Sequence, residues 1–248
     1  MLIDKEAQRS RLSRMSPALK IFVSLYCTVN CVAADNIITS LLTLFTMSFI
    51  ICVFGGLKFK RLLRFYCIPL FFAAVGAAAL AFEADAAGSV LSLMGISVTR
   101  SGLFRAAEVF LRCMGAVSAV YFLSLTTPVT AMFSVIRRTP LPDFITETAE
   151  LVYRYIFVLY DSYKKINVAQ ESRLGYNTLR AKYRSTALVG GAVFIKAMDQ
   201  ARRSYTAMES RGYTGSIKTL TEKYAFRVSH AVYLIILCMF LTASGVIT

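Results

Sequence analysis

Five apolar runs, at residues 19–35, 37–54, 64–82, 104–126 and 225–247, set the strongest limit on how this chain folds. Each is close to the ~20 residues that a helix needs to cross a bilayer core. The expected fold class is therefore all-α: a polytopic membrane protein with about five transmembrane helices. Composition excludes the alternatives. A soluble domain of 248 residues needs more polar skin than 17% charged residues provide, and 56% hydrophobic residues exclude disorder. Asp35 and Asn36 alone join the first two runs, which predicts a tight helical hairpin. Small residues crowd the third run (Ala73, Ala74, Gly76, Ala77, Ala78) and the fourth (Gly115, Ala116, Ala119), a pattern that lets helix backbones approach closely. A secretory leader built on residues 21–34 is the rival reading of the N-terminus; a second apolar run follows almost at once, so a span is expected instead.

Basic residues set the orientation. Lys5, Arg9, Arg11 and Arg14 precede the first run, and Lys58, Lys60, Arg61 and Arg64 lie between the second and third. The segment 83–103 offers Arg100 alone, beside Glu83 and Asp85. Cytoplasmic loops carry the excess of Lys and Arg, so the N-terminus and the 55–63 loop are expected inside and 83–103 outside. Within the runs, Glu108 and Arg112 stand at i,i+4 in the favourable acid-first order and are expected to neutralise each other as a structural pair. The six cysteines (Cys27, Cys31, Cys52, Cys67, Cys113, Cys238) all lie in apolar stretches without a Cys-x-x-Cys pair. They are expected to serve as packing or lipid-facing residues, and no metal site is expected.

The expected domains are 1–126 (N-terminal segment and four spans), 127–224 (a cytoplasmic helical domain) and 225–248 (the last span). Residues 127–224 hold 15 of the 28 Lys and Arg against 8 Asp and Glu. Thr126-Thr127-Pro128 ends the fourth span and opens a helix; Pro140 and Pro142 bracket a turn before the next, which Asp143 can cap. Two long helical patterns follow. Val152, Tyr155, Leu159, Ser162, Ile166, Ala169 and Arg173 form one stripe, and Phe194, Met198, Ala201, Tyr205 and Met208 the other. Helix-on-helix packing is the expected use of both. Their ends match: Ala169-Gln170-Glu171-Ser172-Arg173-Leu174-Gly175-Tyr176 and Ala207-Met208-Glu209-Ser210-Arg211-Gly212-Tyr213. A Gly just past a helix is the usual left-handed cap, so each Arg is expected to project from a helix end. Two matched ends suggest two plugs for two equivalent acceptors.

Catalytic chemistry finds no support. Gly215-Ser216-Ile217-Lys218-Thr219 lacks the Gly that a phosphate loop needs before its Lys, and His230 is the only histidine. The chain is not expected to be an enzyme, and any coupling to ATP must come through partners.

Several segments together resemble a known family. They are Pro17-Ala18-Leu19-Lys20, Thr99-Arg100-Ser101-Gly102-Leu103, Leu125-Thr126-Thr127-Pro128, Leu141-Pro142, Tyr153-Arg154-Tyr155-Ile156-Phe157 and the second matched end. In their order and spacing the chain resembles the transmembrane T component of energy-coupling-factor transporters, the EcfT/CbiQ family, and above all its cobalt-type branch. The resemblance covers nearly the whole length. It implies two Ala-Arg-Gly-like motifs, each docking in a groove of one of two ABC-type ATPase subunits (a homo- or heterodimer). On this sequence the motif positions are Ala169, Glu171, Ser172, Arg173 and Gly175, and Ala207, Glu209, Ser210, Arg211 and Gly212. Ser172 and Ser210 stand where Ala is usual, and Leu174 stands where the first motif often has Gly, which bears on the geometry of that end. The resemblance further implies a small integral-membrane substrate-binding S component, a multi-pass location in the plasma membrane, no cofactor and no nucleic acid. The implied function is mechanical coupling in the import of a transition metal ion or a vitamin. The rival is a self-contained channel or secondary transporter with a regulatory insert, which predicts a polar pathway at mid-membrane.

Overall fold

Long apolar stretches and strong helix formers yield helices nearly everywhere in the computed structural model, which describes residues 2–34, 36–81, 89–93, 96–140 and 142–215. In chain order these are α1 (Leu2–Arg9), a 3-10 turn (Arg11–Arg14), α2 (Pro17–Ala33), α3 (Ile37–Val53), α4 (Phe59–Ala81), β1 (Ser89–Leu93), β2 (Ile96–Thr99), α5 (Arg100–Thr126), α6 (Val129–Ile136), α7 (Asp143–Ser172) and α8 (Leu179–Glu209). The chain divides into two compact units, Met1–Val135 with Glu222–Thr248, and Ile136–Thr221. The fifth expected span, 225–247, with His230 and Cys238, lies outside the described residues.

The described elements are helical apart from one short antiparallel hairpin in the segment expected outside, with Leu93 opposite Ile96 and Leu91 opposite Val98. Alternating, β-branched Ile96-Ser97-Val98-Thr99 is a strand pattern in its own right.

In the first unit, α5 is the central helix, and α2, α3 and α4 pack on it. Each presents a stripe at helical spacing: Val23, Cys27 and Cys31 from α2, Thr43, Met47 and Ile51 from α3, and Met114, Ala119, Phe122 and Leu125 from α5. The hairpin expectation for the first two helices is thereby modified. The link between α2 and α3 is short, but each buries its stripe chiefly against α5 rather than against the other. Close approach depends on Gly115: a Cβ there would stand 2.7 Å from Cys31 Sγ and 2.8 Å from the Ser40 carbonyl oxygen. Ser24 Oγ crosses the seam to donate to the Ala119 carbonyl at 2.7 Å, and Tyr121 donates to the Phe65 carbonyl at 3.0 Å. Interhelical bonds of this kind contribute about 0.6 kcal/mol each in a membrane, so they set register more than stability. The small residues of α4 behave differently; a Cβ on Gly76 would touch nothing among the described residues.

Helices α4 and α5 are each long and apolar enough to cross a membrane, over Phe59–Leu80 and Gly102–Thr126, while α2 and α3 are apolar and shorter at 17 residues each. Arg112 and Glu108 pair at 2.8 Å on α5. Of the described cysteines, Cys27 and Cys31 are buried, Cys52 is half-buried, and Cys67 and Cys113 are exposed.

In the second unit, α7 starts directly after Pro142, which takes the capping position without a side-chain bond; Asp143 is the first helical residue rather than the cap. There its carboxylate still favours the positive end of the helix dipole. Arg137 pairs with Glu150 at 2.6 Å, tying the entry turn to α7. Thr178 caps α8 by accepting from the Ala181 amide at 3.2 Å. The two helices form an antiparallel hairpin. Ser185 Oγ donates to the Gly175 carbonyl at 2.9 Å near the connection, and Tyr155 donates to Ser204 Oγ at 2.5 Å further along. The two contacts are similarly spaced on both arms, 155 to 175 and 185 to 204, about 30 Å, as antiparallel packing requires.

The second stripe is not where sequence spacing put it. Ser185 and Val189 are the buried residues of α8, whereas Phe194 (66% exposed), Met198 and Tyr205 face outward with Tyr183 and Ile195. The packing face of α8 is rotated from the expected one onto Ser185 and Val189.

Candidate functional site

The ends of α7 and α8 have the same construction. On α7 the Arg173 amide donates to the Gln170 carbonyl, the Leu174 amide to Glu171 and the Gly175 amide to Gln170. On α8 the Arg211 amide donates to Met208, the Gly212 amide to Glu209 and the Tyr213 amide to Met208. This is the Schellman closure, in which the two residues past the helix satisfy carbonyls that the last turn leaves open. Both serines also behave alike: Ser172 Oγ donates to the Val168 carbonyl at 3.0 Å and Ser210 Oγ to the Thr206 carbonyl at 2.8 Å. A hydroxyl folded back on its own helix takes little space beyond that of Ala, so the Ser-for-Ala departure leaves the end intact.

The second departure has a definite structural meaning. The left-handed residue of the α8 end is Gly212, at φ +77°; that of the α7 end is Leu174, at φ 55°. Leucine accepts a conformation that costs an L-residue about 1–2 kcal/mol. Gly175 cannot take over the cap because it meets a different demand. A Cβ there would stand 2.4 Å from Ser185 Oγ and 2.9 Å from the Gln170 carbonyl oxygen. The first glycine admits α8 at the connection, and the second turns the chain.

Ala169, Glu171, Ser172 and Arg173 are exposed at one end, as are Ala207, Glu209, Ser210, Arg211 and Gly212 at the other; Gly175 is half-buried. Neither Arg173 nor Arg211 has a carboxylate partner among the described residues. Each is a charged fork held on a capped helix end, able to form bidentate bonds with a carboxylate on another molecule. Because the α7 end meets α8 at Ser185, 26 residues before Arg211, the two tips stand about 40 Å apart along the axis of α8. That spacing suits two acceptors rather than one pocket.

Two features named in the sequence have settings that it did not reveal. One is the outward apolar face of α8 described above. The other is Lys20, which is 0% exposed inside the first unit; a lone lysine one residue into an apolar run was the available signal. Among the described residues no group of three His, Cys, Asp or Glu side chains is placed to hold a metal ion.

Comparison with known proteins adds independent information. The family model described as cobalt transport protein, CbiQ, matches residues 8–222. An uncharacterized protein of Methanocaldococcus jannaschii is 30% identical over 253 aligned residues, spanning 100% of this chain and 93% of its own length. The cobalt transport protein CbiQ of Rhodobacter capsulatus is 33% identical over 162 residues, which cover 64% of this chain and 66% of that one. A protein of Methanocorpusculum labreanum described as a fused cobalt transport protein, CbiMQ, is 32% identical over 60% of this chain and 26% of its own length.

Proposed function

The chain belongs to the cobalt transport protein CbiQ family, and on that premise we propose that it is the transmembrane coupling subunit of an energy-coupling-factor importer. It transmits ATP-driven motion from two ATPase subunits to a separate substrate-binding membrane subunit. The observation that carries this reading is the pair of identically closed helix ends, each presenting an arginine without an acidic partner among the described residues. Two equivalent acidic grooves, about 40 Å apart, are the acceptors that such a pair fits. The outward apolar face of α8, with Tyr183, Phe194, Ile195 and Met198, supports contact with an apolar partner such as a membrane subunit.

The proposed topology has five spans, α2 to α5 and residues 225–247, with the N-terminus and the hairpin of α7 and α8 in the cytoplasm. Two observations support it: α4 and α5 satisfy the length and hydropathy of a span, and Lys and Arg cluster on the segments placed inside. The substrate is a transition metal ion of the cobalt type, the cargo named for several relatives. ATP hydrolysis belongs to the ATPases.

The test is co-purification. Removing one partner of a buried charged hydrogen bond typically costs ~2–5 kcal/mol, about thirty-fold or more in affinity. Arg173→Glu or Arg211→Glu should each weaken ATPase capture, and the double variant should abolish it. Full capture by the double variant would show that the arginines are not the docking groups.

A further inference from the structure

Lys20 stands where three pieces of the first unit meet. Its ammonium is fully buried, yet its described partners are two backbone carbonyls: Leu12 at 2.7 Å and Thr126 at 2.9 Å. Desolvating an ammonium is expensive unless its donors are met, and an apolar side chain would be the cheaper occupant of a position that does not need the charge. The carbonyls it meets are informative. Thr126 is the last residue of α5, so its oxygen belongs to the set that a helix leaves open, at the end where the dipole favours a cation. Leu12 lies in the 3-10 turn, eight residues before Lys20.

Other bonds hold the same N-terminal segment in place. Ser10 Oγ donates to the Gly55 carbonyl at 3.3 Å, in the turn between α3 and α4, and Arg61 at the start of α4 pairs with Glu6 on α1. The segment 6–12 is thus fixed to the α3–α4 turn, and Lys20 fixes it in turn to the end of α5. Beyond that end the chain runs through Thr127 and Pro128 into α6 and on toward α7. Force delivered along the chain through α6 therefore reaches the membrane helices at the residue that Lys20 holds.

We propose that Lys20 is a positioning residue that clamps the exit of α5 to the N-terminal segment, so that displacement entering through α6 moves the helices of the first unit together instead of unwinding the last turn of α5. This rests on the coupling role proposed above, but the clamp can be read separately from it.

With cysteines introduced by Leu12→Cys and Thr126→Cys, a short thiol-to-thiol crosslinker applied to the purified full-length chain reports whether the two segments stay together. Crosslinking should slow at least five-fold in Lys20→Met and recover in Lys20→Arg, and this reading needs no ATPase. In proteoliposomes holding the complete complex, Lys20→Met should retain its ATPases and hydrolyse ATP, while Co(II) taken up per ATP falls at least five-fold; Lys20→Arg should restore most of it. An unchanged ratio, or crosslinking unaffected by Lys20→Met, overturns the proposal. If Lys20→Met does not accumulate, the crosslinked protein that retains Lys20 decides. Locking 12 to 126 should leave uptake intact, and loss of uptake on locking would show that the two segments must part. Failure of the unaltered chain to capture ATPases would remove the coupling role and leave the crosslinking result standing.

Discussion

Gly212→Ala isolates the energetic cost of a left-handed helix end. Gly212 has φ +77°, and a Cβ built on it meets nothing within 4 Å, so the substitution brings a conformational penalty and no clash. Holding an L-residue in this region costs about 1–2 kcal/mol, and Ala recovers about 0.4–1 kcal/mol by restricting the unfolded chain, which leaves a net loss of about 1 kcal/mol. That corresponds to roughly a five-fold increase in local opening. The amides that open are those of residues 212 and 213, which donate to Glu209 and Met208. Their hydrogen exchange, followed by mass spectrometry of the detergent-solubilised protein, should therefore accelerate about five-fold. The reciprocal change tests the other end. Leu174 sits at φ 55° and is 70% exposed, so Leu174→Gly relieves the same strain at little cost in buried surface. Exchange of the 174 and 175 amides should slow by a similar factor. Unchanged exchange in Gly212→Ala, or faster exchange in Leu174→Gly, would refute the matched closure of the two ends.

Two further substitutions address packing. Gly115→Ala forces a methyl group against Cys31 Sγ and the Ser40 carbonyl; such overpacking costs about 1–3 kcal/mol and should lower the thermal midpoint in detergent. Gly76→Ala, which meets nothing, should leave the midpoint unchanged or raise it slightly through helix propensity. Tyr155→Phe removes the hydrogen bond to Ser204, about 1 kcal/mol. Limited proteolysis should then cut the connection between α7 and α8 faster, and an unchanged rate would argue against this bond holding the hairpin.

The apolar runs marked α2 to α5 because continuous hydrophobicity over such lengths has few other uses. Their ends were less legible: α4 begins at Phe59 and α5 at Arg100, each several residues before its run, since a helix continues through basic residues that hydropathy excludes. The β hairpin was not read although Ile96 to Thr99 alternates, because charge asymmetry speaks only to the side of the membrane on which a segment lies. Matched ends on α7 and α8 were readable from a repeated Ala-x-Glu-Ser-Arg, while the differing tasks of Leu174 and Gly175 depend on where Ser185 lies across the hairpin. Lys20 escaped for a similar reason. Its partners are backbone carbonyls, one of them 106 residues away, and no pattern of side chains announces them. Likewise, helical periodicity marks Phe194 and Tyr205 as a stripe but does not show which face of α8 meets α7.

In its proposed role the chain converts hydrolysis on partner ATPases into uptake through a partner membrane subunit. ATP-dependent Co(II) uptake into proteoliposomes tests it most directly, with the chain, the ATPases and the substrate-binding subunit each omitted in turn. Uptake should occur only with all three present, and Arg173→Glu combined with Arg211→Glu should reduce it to the level seen without ATPases. Uptake by the chain alone, driven by an ion gradient and indifferent to ATP, would contradict it and identify a self-contained transporter.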